Sequence, residues 1–362
     1  MTARPQPLSR RQWLGHCLPL GPLAGLATKA QAIPDRQAVS GLGGWGGGGP
    51  LRIAVGARST LFHLPVVLAQ ALGYFEAEGL QVHILDYAAG AHAAHALAVH
   101  AADLCCGAYQ HVVRGQLQDQ DWRSLVLLAR APQLALVADA RLGSTADLAR
   151  LKPLRVGVTA PGSSTDFLAR LWLHEAGVPE AGLQFVALGS GAAAVQALRE
   201  GQVHVISHAD PVLTLLEQRA SVRVLADTRS LKSSAQVYGG TMPGGCLFAG
   251  QSFIQRNPRQ VQALVNAMVR ALRWLQTAGP ADLARLVPKA YLLGDRSAYL
   301  AAFEKVRETL SPDGLMPADG PATALRAVSR LQPAAVAQAR VLLEKTYSDL
   351  WARRAREKLE QV

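Results

Sequence analysis

The residues best suited to bind a ligand lie at one strand-to-helix junction, where Gly162, Ser163, Ser164 and Thr165 follow a strand-like run over 154–159. The first turn of a helix carries backbone N–H groups without intrahelical partners and the positive end of the helix dipole. Small hydroxyl residues let an anion approach that backbone and add donors of their own. An ordinary N-cap needs only one such hydroxyl. The junction therefore predicts half of an anion-binding cleft, with no obvious catalytic group beside it.

Further candidate contacts follow the other predicted strands. In an open α/β sheet, ligands bind beyond the carboxyl ends of the strands, and this rule selects the loops there. Besides Gly162–Thr165, the predicted ligand-binding residues are Ser59, Thr60, His63, Gly107, Tyr109 and Asp210, with Arg58 as a further candidate cation. Purely structural roles stay open for three of them: capping or solvation for His63, a core position for Tyr109, and a helix cap for Asp210.

The sequence gives little support for metal binding or catalysis. His92, His95 and His100 lie three and five residues apart, whereas a helical metal site favours a spacing of four and needs further ligands. No Gly-x-Ser-x-Gly elbow, Walker loop or dinucleotide fingerprint occurs in a suitable context. We therefore expect no metal, no cofactor and no enzymatic activity.

The amino-terminal segment has the features of an export signal. Residues 1–32 combine early arginines, a moderately apolar stretch and an Ala30-Gln31-Ala32 cleavage pattern. The pair Arg10-Arg11 favours the twin-arginine route, with an ordinary leader as the alternative. We expect a periplasmic protein in which residues 33–50 form a Gly-rich linker.

Three cysteines follow the predicted leader: Cys105, Cys106 and Cys246. An oxidising compartment permits one disulfide between Cys246 and one of the vicinal pair. Buried free thiols are the alternative, and the sequence leaves both open.

Charge argues against a nucleic-acid partner. The 362-residue chain has a formal net charge of +11, and beyond the predicted leader 33 basic residues face 26 acidic ones. This excess is scattered and is not interleaved with aromatic residues, as nucleic-acid binding would favour.

Strand patterns alternate with helix patterns along most of the chain, which is typical of a doubly wound parallel sheet. The alternation runs from residue 51 and repeats after a capping-box pattern at Ser144 and Asp147. We predict one lobe from 51–137 plus 239–362 and a second from 138–238. The predicted carboxyl-terminal helices are 258–277, 281–287, 296–309 and 333–360.

Four widely spaced motifs resemble those of the periplasmic solute-binding proteins of ABC importers for nitrate, sulfonate, taurine and related solutes. The resemblance spans 51 to about 350 and rests on the order and spacing of its motifs, which are 69–79 with Gly-Tyr-Phe, 102–108 with Ala-Asp, 151–162 with Arg-Val-Gly-Val, and 197–205 with Glu-Gly-Gln-Val. The chain departs from the pattern at His204, where aspartate is common, and in the first loop, 58–63.

The resemblance implies a type II periplasmic-binding-protein fold, in which two doubly wound α/β lobes close about a hinge on a small anionic or polar solute. It also implies a monomer that delivers this solute to a membrane permease and its ATPase. The pyrimidine-precursor-binding proteins, and an enzyme branch that makes a thiamine pyrimidine, belong to the same superfamily and provide the alternative function.

Overall fold

The computed structural model describes residues 49–361. The predicted signal peptide and most of the predicted linker lie outside the described residues. The strands are β1 (Leu51–Gly56), β2 (Val82–Tyr87), β3 (Leu104–Ala108), β4 (Trp122–Leu127), β5 (Leu134–Asp139), β6 (Leu154–Val158), β7 (Leu183–Ala187), β8 (Val205–Ala209), β9 (Val222–Asp227) and β10 (Gly245–Gly250).

Helices connect and cover these strands. They are α1 (Leu64–Ala71), α2 (Tyr74–Ala77), α3 (Gly90–Ala98), α4 (Tyr109–Gln116), α5 (Thr145–Arg150), α6 (Ser164–Glu175), α7 (Ala192–Arg199), α8 (Val212–Arg219), α9 (Leu231–Tyr238), α10 (Gln251–Arg256), α11 (Pro258–Thr277), α12 (Pro280–Leu286), α13 (Arg296–Val306), α14 (Gly320–Leu331), α15 (Pro333–Gln338) and α16 (Leu350–Glu360). Within 49–361, none of them combines the length and apolarity that a bilayer crossing requires.

The strands form two five-stranded sheets of the same topology. The first has the order β2-β1-β3-β10-β4 and the second β7-β6-β8-β5-β9. In each sheet the first three strands are parallel. The fourth strand, which is β10 in the first sheet and β5 in the second, runs antiparallel to the third. We call the first sheet with its helices lobe 1 and the second lobe 2. The predicted boundary at residue 138 falls inside β5.

The degree of burial of each strand depends on its position in the sheet. Central strands such as β3 and β8 are buried along their whole length, as expected for parallel sheets covered by helices on both faces. Edge strands such as β2 and β7 are partly exposed. Cys105, Cys106 and Cys246 lie in the central strands as buried free thiols, so the structure selects the second of the two alternatives for these residues.

Several predicted elements are confirmed. Ser144 and Asp147 form the predicted capping box at α5: the Asp147 N–H donates to Ser144 Oγ at 3.2 Å, and the Ser144 N–H donates to Asp147 Oδ2 at 2.7 Å. The predicted helix 258–277 coincides with α11.

The prediction of one continuous helix over 333–360 is wrong, because the chain leaves the helix after Gln338 and re-enters it at Leu350. The intervening segment runs beside β4: the Ser124 N–H donates to the Thr346 carbonyl at 2.9 Å, and the Ser348 N–H to the Ser124 carbonyl at 2.8 Å. Covering an unpaired strand edge here outweighs the helix propensity of an Ala-rich sequence.

Two crossings connect the lobes, over 128–133 and 228–244. They pair directly, since the Gly244 N–H donates to the Ala129 carbonyl at 2.9 Å and the Leu128 N–H donates to the Gly245 carbonyl at 2.7 Å. A Cβ added at Gly244 would lie only 2.1 Å from the Ala131 carbonyl oxygen. The close approach of the crossings therefore requires glycine at this position.

The substitution Gly244→Ala is expected to lower the free energy of unfolding by about 1–3 kcal/mol, because the crossings must separate to admit a methyl group. Urea denaturation measures this loss. Gly191→Ala is the matched control, since a Cβ there meets nothing within 4 Å. Equal stability of the two variants would contradict the packing argument.

Candidate functional site

A small cavity lies between the lobes, next to the crossings. Its lining residues come from both lobes and from both crossings: Ala108, Gln110, Pro132, Leu134, Ser164, Tyr238, Met242, Pro243 and Gly244. The cavity volume is about 10 Å³, which leaves room for about one water molecule. No charged side chain of residues 49–361 lines this inter-lobe cavity.

Gln110 is the polar side chain in the cavity wall that most requires a partner. It lies in the first turn of α4, is 2% exposed, and its amide Nε2 makes no hydrogen bond with any described residue. A buried donor without an acceptor costs about 1–3 kcal/mol. The amide is therefore placed to donate to a group that enters the cavity.

The amino terminus of α6 lies across the cavity from Gln110. Ser163 is the N-cap residue, yet its hydroxyl makes no capping hydrogen bond, and Ser164 at the first helical position lines the cavity. The first N–H groups of a helix lack intrahelical partners and carry partial positive charge. An uncapped terminus beside an unpartnered amide can hold a small anion or polar group.

Several hydrogen bonds join the lobes, and we call three of them, made by loops at the strand ends, the latch. The Ala91 N–H donates to Ser163 Oγ at 3.1 Å, Arg114 Nη1 donates to the Gly162 carbonyl at 3.1 Å, and the Leu61 N–H donates to the Asp210 carbonyl at 3.0 Å. The structure thus shows the lobes in contact, and the predicted residues Gly162, Ser163 and Asp210 take part in that contact.

Two of the remaining hydroxyl candidates, Thr60 and Thr165, make hydrogen bonds within their own loops. Thr60 Oγ1 donates to the Ala57 carbonyl at 2.9 Å. Thr165 Oγ1 accepts the Thr159 N–H at 3.0 Å and contacts Thr159 Oγ1 at 2.8 Å. Ser59 is half-buried in the loop between β1 and α1. Of Gly162–Thr165, the predicted anion-binding junction, only Ser164 lines the inter-lobe cavity.

His63 is buried against β3, where its Nδ1 lies 3.4 Å from Cys106 Sγ. Burial lowers the pKa of His63 to about 4 and raises that of Cys106 well above its ordinary value. Both groups are therefore neutral near pH 7, whereas a nucleophilic cysteine needs a lowered pKa. This contact lends no support to thiolate chemistry.

Gly107 and Tyr109 occupy the end of β3 and the start of α4, and both are buried. The Tyr109 N–H donates to the Gly244 carbonyl at 2.9 Å, and its hydroxyl contacts the Thr346 hydroxyl. Burial raises the pKa of Tyr109. Tyr109 thus ties α4 to the crossing and to the covering segment, and its neighbour Gln110 lines the cavity.

Asp210 is 1% exposed and serves two structural contacts. Its Oδ1 accepts from the N–H and the hydroxyl of Thr214, both at 2.8 Å, and its Oδ2 lies 3.5 Å from Arg229 Nη1. Burial raises the pKa of Asp210, although Arg229 and Thr214 partly offset the effect. The side chain caps α8 and pairs with a buried cation.

The sequence analysis did not single out Gln110, nor Leu134 at the start of β5, nor the crossing residues Pro132, Tyr238 and Met242 that line the cavity. Gln110 lies in the strand-end loop that the carboxyl-end rule selects, and its polarity at a buried helix start was the available signal. The crossing residues gave no such signal, because only the pairing of distant segments brings them together. Among residues 49–361, no group of three or more His, Cys, Asp or Glu is arranged to hold a metal ion.

The chain is similar to known proteins in both sequence and structure. A family model described as the NMT1-like family matches residues 47–287. A protein of Bordetella bronchiseptica RB50 with a solved structure is 40% identical, with a TM-score of 0.82 over 86% of this chain and 98% of that one. No curated protein matches the chain.

Two more distant solved structures show the fold. The alkanesulfonate-binding protein SsuA from Xanthomonas axonopodis pv. citri, bound to MOPS, is 20% identical, with a TM-score of 0.59 over 83% of this chain and 98% of its own. The periplasmic nitrate-binding protein NrtA from Synechocystis PCC 6803 is 13% identical, with a TM-score of 0.67 over 86% and 89%. The predicted periplasmic-binding-protein fold is confirmed.

Proposed function

Since this chain belongs to the NMT1-like family, we propose that it is the extracytoplasmic solute-binding component of an ABC importer. It captures a small anionic or polar organic solute between its lobes and delivers it to a membrane permease with its ATPase. It acts as a monomer, without a cofactor and without catalysis.

The observation that carries this proposal is the inter-lobe cavity with its two sets of unpartnered donors. Gln110 Nε2 is buried without an acceptor, and the terminus of α6 at Ser164 is uncapped. Both donor sets come from helix starts at the carboxyl ends of strands, where ligands of α/β sheets bind. A bound solute supplies the acceptors that the protein itself does not.

The lining of the cavity narrows the class of solute. Donors without a charged partner suit a group that carries at most one negative charge, because the helix dipole provides only about half a unit charge. The apolar walls, which include Leu134 and Met242, suit a compact organic body. Alkanesulfonates meet both requirements and nitrate meets the charge requirement, and the names of two structurally similar proteins refer to alkanesulfonate and nitrate.

Entry of such a solute requires the lobes to separate. Space for about one water cannot admit an organic molecule. The latch hydrogen bonds contribute about 0.5–1.5 kcal/mol each, and the partly exposed ion pairs that also join the lobes, such as Arg219–Asp295 and Arg330–Glu175, contribute about 0–1 kcal/mol each. The paired crossings are the elements that remain joined when the latch opens, and they provide the hinge.

A ligand panel tests this proposal by thermal shift, because a ligand that binds only the folded state raises the melting temperature. The panel contains methanesulfonate, taurine, nitrate, bicarbonate, a pyrimidine and an aromatic acid. We expect at least one monoanion to raise the melting temperature. A panel without any effect, or a response to the pyrimidine alone, would contradict the sulfonate–nitrate assignment.

The substitution Ser164→Ala is expected to weaken binding of the responding solute about threefold to tenfold, since it removes one hydroxyl donor from the cavity. Isothermal titration calorimetry measures the loss. Ser221→Ala, at an exposed position before β9, is the control. Equal affinities of the two variants would place the solute elsewhere.

A further inference from the structure

A second pocket lies at the edge of the lobe boundary, between α3 and α4. Its lining residues are Ala91, Ala94, His95, Ala98, His111, Arg114, Gly115, Gln118, Trp122 and Gly162. Its volume is about 200 Å³, and it shares no lining residue with the inter-lobe cavity. We call it the α3–α4 pocket.

His111 is the side chain in this pocket that lacks a partner. It is 6% exposed and makes no hydrogen bond with any described residue. A Cβ added at Gly90 would lie 3.5 Å from its Nε2, and one at Gly107 3.9 Å from its Cδ2, so the ring packs at ordinary van der Waals distance from both glycines. An imidazole buried to this extent normally has a hydrogen-bond partner.

Arg114 supplies the charge of the pocket. It is the only Arg, Lys, Asp or Glu among the described residues that line the pocket, and its guanidinium makes one hydrogen bond, from Nη1 to the Gly162 carbonyl. Burial lowers its pKa, the positive charge of Arg170 adds to that lowering, and Asp166 opposes it. Four of its five N–H donors are left for a ligand.

His111 complements this charge as a neutral group. Burial, together with the nearby Arg114, lowers the pKa of His111 to about 3. Near pH 7 the ring therefore carries one N–H donor and one acceptor nitrogen. A guanidinium fork beside a neutral imidazole donor matches the two oxygens of a carboxylate.

We propose that the α3–α4 pocket is a second binding site, which takes a small organic monocarboxylate. The carboxylate pairs with Arg114 and accepts the His111 N–H, while the apolar body rests against Trp122 and the methyl groups of Ala94 and Ala98. The volume is below the 300–1,000 Å³ that is usual for drug-sized ligands, which favours an acid with a single ring or a short chain.

The α3–α4 pocket also adjoins two of the three latch hydrogen bonds. Ala91 and Gly162 line the pocket, and each makes a latch hydrogen bond through its backbone. A carboxylate bound there touches both lobes only while they are closed. Binding at this site therefore stabilises the closed arrangement and is coupled to binding in the inter-lobe cavity.

Fluorine NMR with 4-fluorobenzoate as the probe tests the proposal on the purified wild-type protein. We expect saturable binding that is weakened about tenfold or more by His111→Phe, which keeps the ring but removes both nitrogens. Arg114→Gln is expected to weaken it by a similar factor. Circular dichroism melts establish that both variants fold.

The test separates this site from the proposed solute cavity. Gln236→Leu, at an exposed position on α9 that lines neither pocket, serves as the control and is expected to leave 4-fluorobenzoate binding unchanged. Undiminished binding by folded His111→Phe, or no binding by wild-type protein, would overturn the proposal. Loss through Gln110→Leu alone would instead place the carboxylate in the inter-lobe cavity and leave the proposed function intact.

Discussion

Gln110→Leu is expected to weaken solute binding about 10-fold to 100-fold and, at the same time, to raise the melting temperature of the solute-free protein. The buried amide Nε2 has no described partner, so replacing it with an apolar group of similar size removes a desolvation cost. The same change deletes a donor to the solute, and a hydrogen bond to a charged group contributes about 1.5–3 kcal/mol. Calorimetric titration and thermal denaturation measure the two effects.

The opposite signs of these effects make the experiment decisive. Gln236→Leu, at an exposed position on α9, should change neither affinity nor melting temperature. If Gln110→Leu lowers the melting temperature and leaves affinity intact, the amide is a structural group and the inter-lobe cavity is not the solute site.

Arg229→Met is expected to lower the free energy of unfolding by about 3–5 kcal/mol, the largest stability effect that we predict. Arg229 is 5% exposed and pairs with Asp227 at 2.7 Å, with Glu217 at 2.5 Å and with Asp210 at 3.5 Å. Removing one partner of a buried ion pair leaves uncompensated charge in the interior. Denaturant titration measures the loss.

The destabilisation should depend on pH with a definite sign. Burial already raises the pKa of Asp210, and the loss of Arg229 raises it further. A carboxyl group with a raised pKa binds more protons in the folded state, so its unfavourable effect grows as pH rises above its unfolded pKa. The difference between Arg229→Met and wild type should therefore shrink as pH falls from 7 towards about 4.

An exposed pair provides the control for this prediction. Arg141→Met removes the partner of Asp139 at a side chain that is 78% exposed, where solvent screening leaves little net effect. A stability loss for Arg229→Met no greater than that of Arg141→Met, or one independent of pH, would contradict the buried-charge argument.

Together, these contacts suggest how stability and binding are divided in this fold. Arg229, Asp210 and Glu217 stabilise lobe 2 through opposite charges in direct contact, whereas Gln110 Nε2 in the inter-lobe cavity has no partner among the described residues. Unpaired donors at a binding site cost stability in the solute-free state and are satisfied when the solute binds. The Gln110 and Arg229 substitutions probe these two roles separately.

The sequence by itself determined the fold class and the family resemblance. Alternation of strand and helix patterns repeats twice, and such periodicity depends only on which faces each element must bury. It also determined local features such as the Ser144–Asp147 cap, since the partners lie three residues apart. It drew attention to Gly162–Thr165 because a hydroxyl-rich strand-to-helix junction is a local property.

Only the tertiary structure decided what that junction does. Ser163 bonds to Ala91, Thr165 to Thr159, and Ser164 alone lines the cavity, because the lobes approach each other at this helix start. The cavity around Gln110 was likewise set by segments far apart in the chain, such as those that carry Pro132 and Tyr238. A sequence pattern indicates which groups require hydrogen-bond or ionic partners. The packing of distant elements decides which groups receive such partners and which remain free for a ligand.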